Sequence, residues 1–140
     1  VDSIDLTFSA TFVMQATTGL IYGFSGSGYA MIVLDYLDGA GESLGFTRIL
    51  NVNENLFAGT AFVGAPDKIS DTNSMHNILI ESDKVYKNYK LNIRKEVNEN
   101  LLGINSDDIR SIKVVLIVGS TDKNASGTLT VSDLTLKPNH

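Results

Sequence analysis

The sequence predicts an all-β fold, an antiparallel β-sandwich of about eight to ten strands spanning residues 1–140 as one domain. Three observations predict it. Apolar residues recur with period two along most of the chain, as strands with one buried face require. β-Branched and aromatic residues fill those runs, while Gly, Asn, Asp and Ser gather between them. No stretch sustains a helical period, and there is neither an internal repeat nor a low-complexity linker.

The first run, Asp5 to Gln15, places Leu6, Phe8, Ala10, Phe12 and Met14 on one side and mostly Thr and Ser on the other, a half-buried strand. Gly23 to Gly28 then reads as a flexible Gly-Ser loop flanked by Tyr22, Phe24 and Tyr29. Tyr29 to Asp38 is apolar on nearly both sides, broken only by Asp35, and reads as a central strand. Asp38-Gly39-Ala40-Gly41-Glu42 is a compact turn in which glycine supplies positive φ and the aspartate bonds the backbone beyond it. Leu44 to Val52 returns as the next strand. Residues 53 to 74 read mostly as loop, with Phe57 to Val63 a short strand within it.

His76 to Ser82 and Tyr86 to Val97 follow as strands, the second with Tyr89, Leu91, Ile93 and Val97 opposed to Lys90, Asn92, Arg94 and Glu96. Ser106-Asp107-Asp108 caps at most one short helical turn. Ile109 to Val118 is a strongly β-branched strand, and Thr128 to Lys137 closes the domain. In that last strand Leu129 and Val131 fall on one face and Leu134 and Leu136 on the other, so a bulge near Ser132-Asp133 is needed to restore a common face.

Composition excludes several functions. Eleven Lys and Arg against sixteen Asp and Glu give a net charge of −5, the wrong sign for neutralising phosphates, so nucleic acid is not expected as a partner. With no cysteine there is no disulfide, thiolate nucleophile or Cys-ligated zinc, and two histidines leave little for a His-based metal centre. The longest apolar run, Val114 to Val118, is too short to cross a bilayer, so no membrane partner is expected. The N-terminus lacks a signal-peptide layout, so an exported protein would have lost its signal.

Catalysis finds little support. His76 and His140 lie near no Gly-x-Ser-x-Gly elbow, and the glycine-rich stretch before Tyr29 leads into a strand rather than the helix a phosphate loop needs. Asp35, Asp38, Glu42 and Glu81 could pair across a cleft, yet acidic residues on turns are usually solvated. An accessory binding module is therefore expected in place of an enzyme, and a small β-sandwich lyase or glycosidase using carboxylates, Arg94 and a tyrosine is the catalytic alternative.

Binding is better supplied. Tyr22 and Phe24 flank the Gly-Ser segment, where rings at a loop tip could stack on the apolar face of a sugar. Asp35, Arg48, Asn92 and Arg94 are polar residues in strands and could give directional hydrogen bonds to hydroxyls. The plain alternatives are loop rings folded over the sandwich edge, and an Arg94–Asp35 ion pair across strands. Asp5 and Asp133 could meet in paired terminal strands and hold calcium with backbone carbonyls, although an aspartate at a bulge often only bonds neighbouring amides.

Three segments carry a resemblance. Tyr29 to Gly45 (YAMIVLDYLDGAGESLG), Ser111 to Val118 (SIKVVLIV) and Val131 to Leu136 (VSDLTL) resemble non-catalytic carbohydrate-binding modules with a galactose-binding-like jelly roll. The resemblance covers the chain from first strand to last by strand rhythm and the Asp-containing final strand. It implies a secreted, accessory, polysaccharide-binding role beside a bacterial carbohydrate-active enzyme, often with structural calcium near the chain termini, which Asp5 and Asp133 match by position. The absence of Trp departs from the aromatic platforms of many such modules and favours soluble or side-chain-rich polysaccharide over crystalline cellulose. The expectation is a monomeric module tethered to a catalytic domain. The rival is a structural or adhesive module of a bacterial surface or phage protein.

Overall fold

The computed structural model describes residues 5–21, 24–52, 71–80, 86–120 and 125–139. The element order is β1 (Asp5–Ala16), β2 (Thr18–Ile21), β3 (Phe24–Leu37), β4 (Ser43–Val52), β5 (Met75–Leu79), β6 (Lys87–Asn92), α1 (Ile93–Asn100), a 3-10 turn (Ser106–Asp108), β7 (Ser111–Ser120) and β8 (Gly127–Asn139). The strands form two sheets, which makes this an all-β sandwich. In the smaller sheet β1 lies between β6 and β8. In the larger sheet β3 is central, pairing with β7 and β4 along its length and with β2 over its first residues, and β5 joins β4.

Alternation dictates the core. Phe8, Ala10, Phe12 and Met14 of β1 face Ala30, Ile32, Leu34 and Tyr36 of β3, all fully or almost fully buried. Ile49, Leu101 and Ile109 complete that layer. β3 is thus the expected central strand, and its even-numbered residues point inward while Tyr29, Met31, Val33 and Asp35 make the outer face. The turn after β3 forms as its residues require: the Asp38 carboxylate accepts from the amides of Ala40 at 2.8 Å and Glu42 at 2.9 Å, and Gly41 takes φ 82°.

The bulge in β8 is present. Ser9 pairs with Thr135 and Thr11 with Ser132, leaving Asp133 and Leu134 opposite Ala10, with Asp133 at φ 53°. Leu129 and Val131 before it, and Leu136 after it, then register with Met14, Phe12 and Phe8; Leu129 and Val131 pack against the core, while Leu136 stays 39% exposed.

Three expectations need correction. The β4–β5 pairing is parallel, which the long connection through residues 53–74 has the length to supply. The expected strand Tyr86 to Val97 is a strand only to Asn92, because the Asn92 side chain accepts from the Lys95 amide at 2.9 Å and caps a helix. Ile93 and Val97, one turn apart on that helix, both enter the core, and Glu96, which a strand would turn to the opposite face, is buried with them. Finally, the Gly-Ser segment is ordered sheet from Phe24 onward, paired with β2, and not a loop. The short strand expected at Phe57 to Val63 lies outside the described residues.

Glycine closes one corner of the sandwich. A Cβ on Gly28 would lie 1.6 Å from the Ser126 carbonyl oxygen, and one on Gly127 would lie 1.9 Å from that of Tyr29. β3 and the start of β8 therefore touch backbone to backbone. The Thr17 amide donates to the Ser126 carbonyl at 2.9 Å, and the Gly28 amide to that of Thr17 at 2.8 Å.

Candidate functional site

The outer face of the larger sheet gathers two of the expected binding residues. Register sets Lys113, Asp35, Phe46 and Met75 in one row across β7, β3, β4 and β5, and Val115, Val33, Arg48 and Asn77 in the next. Asp35 is half-buried and its carboxylate accepts from the Ser43 hydroxyl. Arg48 is tied down on one side only: its Nε donates to Asn77 Oδ1 at 2.7 Å and its guanidinium lies 5.7 Å from the centre of the Phe46 ring. Among the described residues no partner engages its two Nη groups. Partial burial lowers the Arg48 pKa and the nearby Asp71 charge acts against that, so the side chain stays cationic.

From Asn77 a polar chain runs round the β5 edge into the interior. The Asn77 amide and side chain both donate to Asp71 Oδ1, at 2.8 and 3.2 Å, and the other Asp71 oxygen lies 3.7 Å from His76 Nε2. On its far side the His76 ring bonds Glu96 through Nδ1. Glu96 is a buried carboxylate on α1 that also accepts from Thr47 Oγ1 at 3.0 Å and from Asn100 Nδ2 at 2.9 Å. Thr47 in turn accepts from the Tyr36 hydroxyl at 2.9 Å.

The environment of this chain perturbs two phenols. Burial, with the Glu96 charge adding to it, pushes Tyr89 up to about 12. Tyr36 is raised further by deeper burial, against a smaller lowering from its bond to Thr47. Asp71 and Glu96 approach His76 from opposite sides of its ring, so they do not converge on one point. Among the described residues no three His, Asp or Glu side chains are placed to hold a metal ion.

The other expected site residues are dispersed. Asn92 is the cap of α1, and Arg94 lies on that helix, pairing with Asp107 at 3.0 Å, so no Arg94–Asp35 ion pair forms. Both belong to the α1 region and not to the outer face with Asp35 and Arg48. Phe24 opens β3, and Tyr22 lies outside the described residues. Asp5 pairs with Asn139 at the end of β1, while Asp133 sits opposite Ala10, five residues along that strand. At ~3.3 Å per residue the two are about 17 Å apart. One calcium ion cannot be clamped between them.

Sequence reasoning passed over Phe46, Asn77, Asp71, His76 and Glu96. A histidine and an acid on an apparent strand carry no local spacing signal, since the His76–Glu96 and Arg48–Asn77 contacts join residues 20 and 29 positions apart. No known protein family, curated protein or solved structure matches this chain. No helix among the described residues is long and apolar enough to cross a membrane.

Proposed function

We propose that this chain is a non-catalytic glycan-binding module whose ligand lies on the outer face of the larger sheet, over β3 and β4. The observation that carries the reading is Arg48, held by Asn77 and the Phe46 ring with its Nη fork directed at no described partner. A sugar needs an apolar floor for its C–H face and a few fixed donors and acceptors for its hydroxyls. Val33, Met31 and Phe46 supply the floor, Arg48 the donors and Asp35 the acceptor. Such a module, in a secreted bacterial protein, raises the local concentration of an attached enzyme on its polysaccharide.

Retardation in native gels cast with soluble plant, algal and microbial polysaccharides tests the reading. Selective retardation by one polymer class, lost in Arg48→Ala and Asp35→Ala at unchanged melting temperature, is the expected result. A broad panel without retardation overturns it. The rival reading, a structural or adhesive module, is favoured by one feature: the exposed apolar residues of β7.

A further inference from the structure

Among the described residues each sheet ends in strands with a free side, and all but one of these are guarded: β2 is only four residues long. β5 is only five residues long, β6 carries Lys87 and Lys90, and β8 is bent by its bulge and bears Lys137 and Pro138. β7 has none of these devices. It runs ten residues with no proline and a single charge, Lys113, and among the described residues it pairs with β3 alone. Leu116 and Val118 are half exposed, at 52% and 51%, and Ile117 at 36%. An apolar edge of this kind, paired on one side only among the described residues, is a template for another strand.

We propose that this edge joins two copies of the chain, β7 pairing antiparallel with β7 about a two-fold axis through Leu116. The residues on either side of Leu116 match in character. That register sets Val114 against Val118, Val115 against Ile117 and Leu116 against itself, with each face of the sheet continued by the same kind of side chain. Lys113 falls opposite Gly119 of the other copy. There the side-chain space is filled by Tyr29, whose hydroxyl lies 2.4 Å from where a Gly119 Cβ would be. The ammonium so meets a phenol oxygen and no cation, because the two Lys113 side chains stand six residues apart, ~20 Å along the strands. Moving the axis to Val115 would set Lys113 against Ile117, and moving it to Ile117 would shorten the pairing. The result is one continuous sheet through both copies, in place of the monomer expected from sequence. The proposal stands independently of the glycan reading.

The chain has no cysteine, so a single one reports on the axis. Leu116→Cys should cross-link two copies on mild oxidation, since Cβ atoms of directly opposed antiparallel residues lie ~4.5–5.5 Å apart, close to disulfide reach. Leu102→Cys, 74% exposed after α1, should not. Sedimentation of the unmodified protein should give a mass rising from one chain to two with concentration. Salt should favour the pair, because each copy carries −5. Leu116→Lys should weaken association about tenfold or more, at a melting temperature within a few degrees of the parent. A single-chain mass at every concentration, or equal cross-linking of the two cysteine variants, overturns the proposal.

Discussion

Replacing Glu96 by alanine should cost about 3–5 kcal/mol, the range for removing one partner from a buried charged network. The figure can be built from the structure. The carboxylate side chain is 4% exposed and accepts from Thr47, Asn100 and His76. Thr47 is fully buried and would lose the acceptor of its hydroxyl, at about 1–3 kcal/mol. Asn100 and His76 are half-buried and can turn toward solvent or Asp71, so together they add about 1 kcal/mol. Deleting four heavy side-chain atoms beside the core adds about 1–2 kcal/mol of lost packing, less a few tenths returned by the better helix propensity of alanine. Glu96→Gln keeps an acceptor for Thr47 and should cost about 1–2 kcal/mol. Urea unfolding followed by far-ultraviolet circular dichroism measures both, and a double-mutant cycle with Thr47→Val should return a coupling near 1 kcal/mol or above. A loss below about 1 kcal/mol for Glu96→Ala would refute the claim that this network ties α1 to the larger sheet.

Three further perturbations have defined outcomes. Gly28→Ala forces a Cβ onto the Ser126 carbonyl and should cost more than about 3 kcal/mol or prevent folding. At Gly39 the nearest atom is 3.8 Å away and Gly39→Ala should stay within about 0.5 kcal/mol, both read by thermal melting. Asp133 holds φ 53°, so Asp133→Val should cost about 1–2 kcal/mol while Asp133→Gly is nearly neutral in the same assay. Tyr36 and Tyr89 ionise at higher pH in the folded chain than the ordinary tyrosine value of 10.0. The unfolded chain therefore gives up these protons first, and stability should be full below pH 10 and fall as pH rises toward 12. Tyr36→Phe and Tyr89→Phe should flatten that fall in melts taken across the alkaline range, and an unchanged slope would show that these phenols do not govern it.

The fold was legible wherever the period-two pattern had a consequence that only one geometry satisfies. Phe8 to Met14 can share a buried face only in a strand, and the slip from Val131 to Leu134 can be reconciled only by an extra residue, which is what Asp133 supplies. The pattern misled where two geometries agree over a short span. Tyr89, Leu91 and Ile93 alternate as a strand does, and Ile93 with Val97 are also one helical turn apart. The choice is made by the Asn92 side chain, whose bond to the Lys95 amide rewards the helix locally. Similarly, glycine and serine at residues 25 to 28 fit either a loop or a strand passing close to another backbone. Residues 25 to 27 are strand through their pairing with β2, and at Gly28 glycine is required by the backbone at the start of β8, about a hundred residues away.

The site was legible only in part, for a reason that lies in how strand faces are assigned. Asp35 is conspicuous in sequence because it interrupts an apolar face, and it does lie on an outward surface beside Arg48. Arg94 looked equivalent by the same parity argument, but parity carries no meaning once the chain has turned into a helix, and its charge goes to Asp107. Glu96 was invisible for the opposite reason: as an acid opposed to apolar neighbours it matched a solvent-facing strand position. The helix turns it inward to a threonine and a histidine from two other strands. A charge buried in this way must be met by donors on its arrival, and those donors come from β4, β5 and α1 together. The polar chain from Arg48 to Tyr36 is therefore a property of the assembled edge of the sheet. A substitution at Glu96 should be felt in the β4–β5 pairing that positions Arg48 as well as in α1.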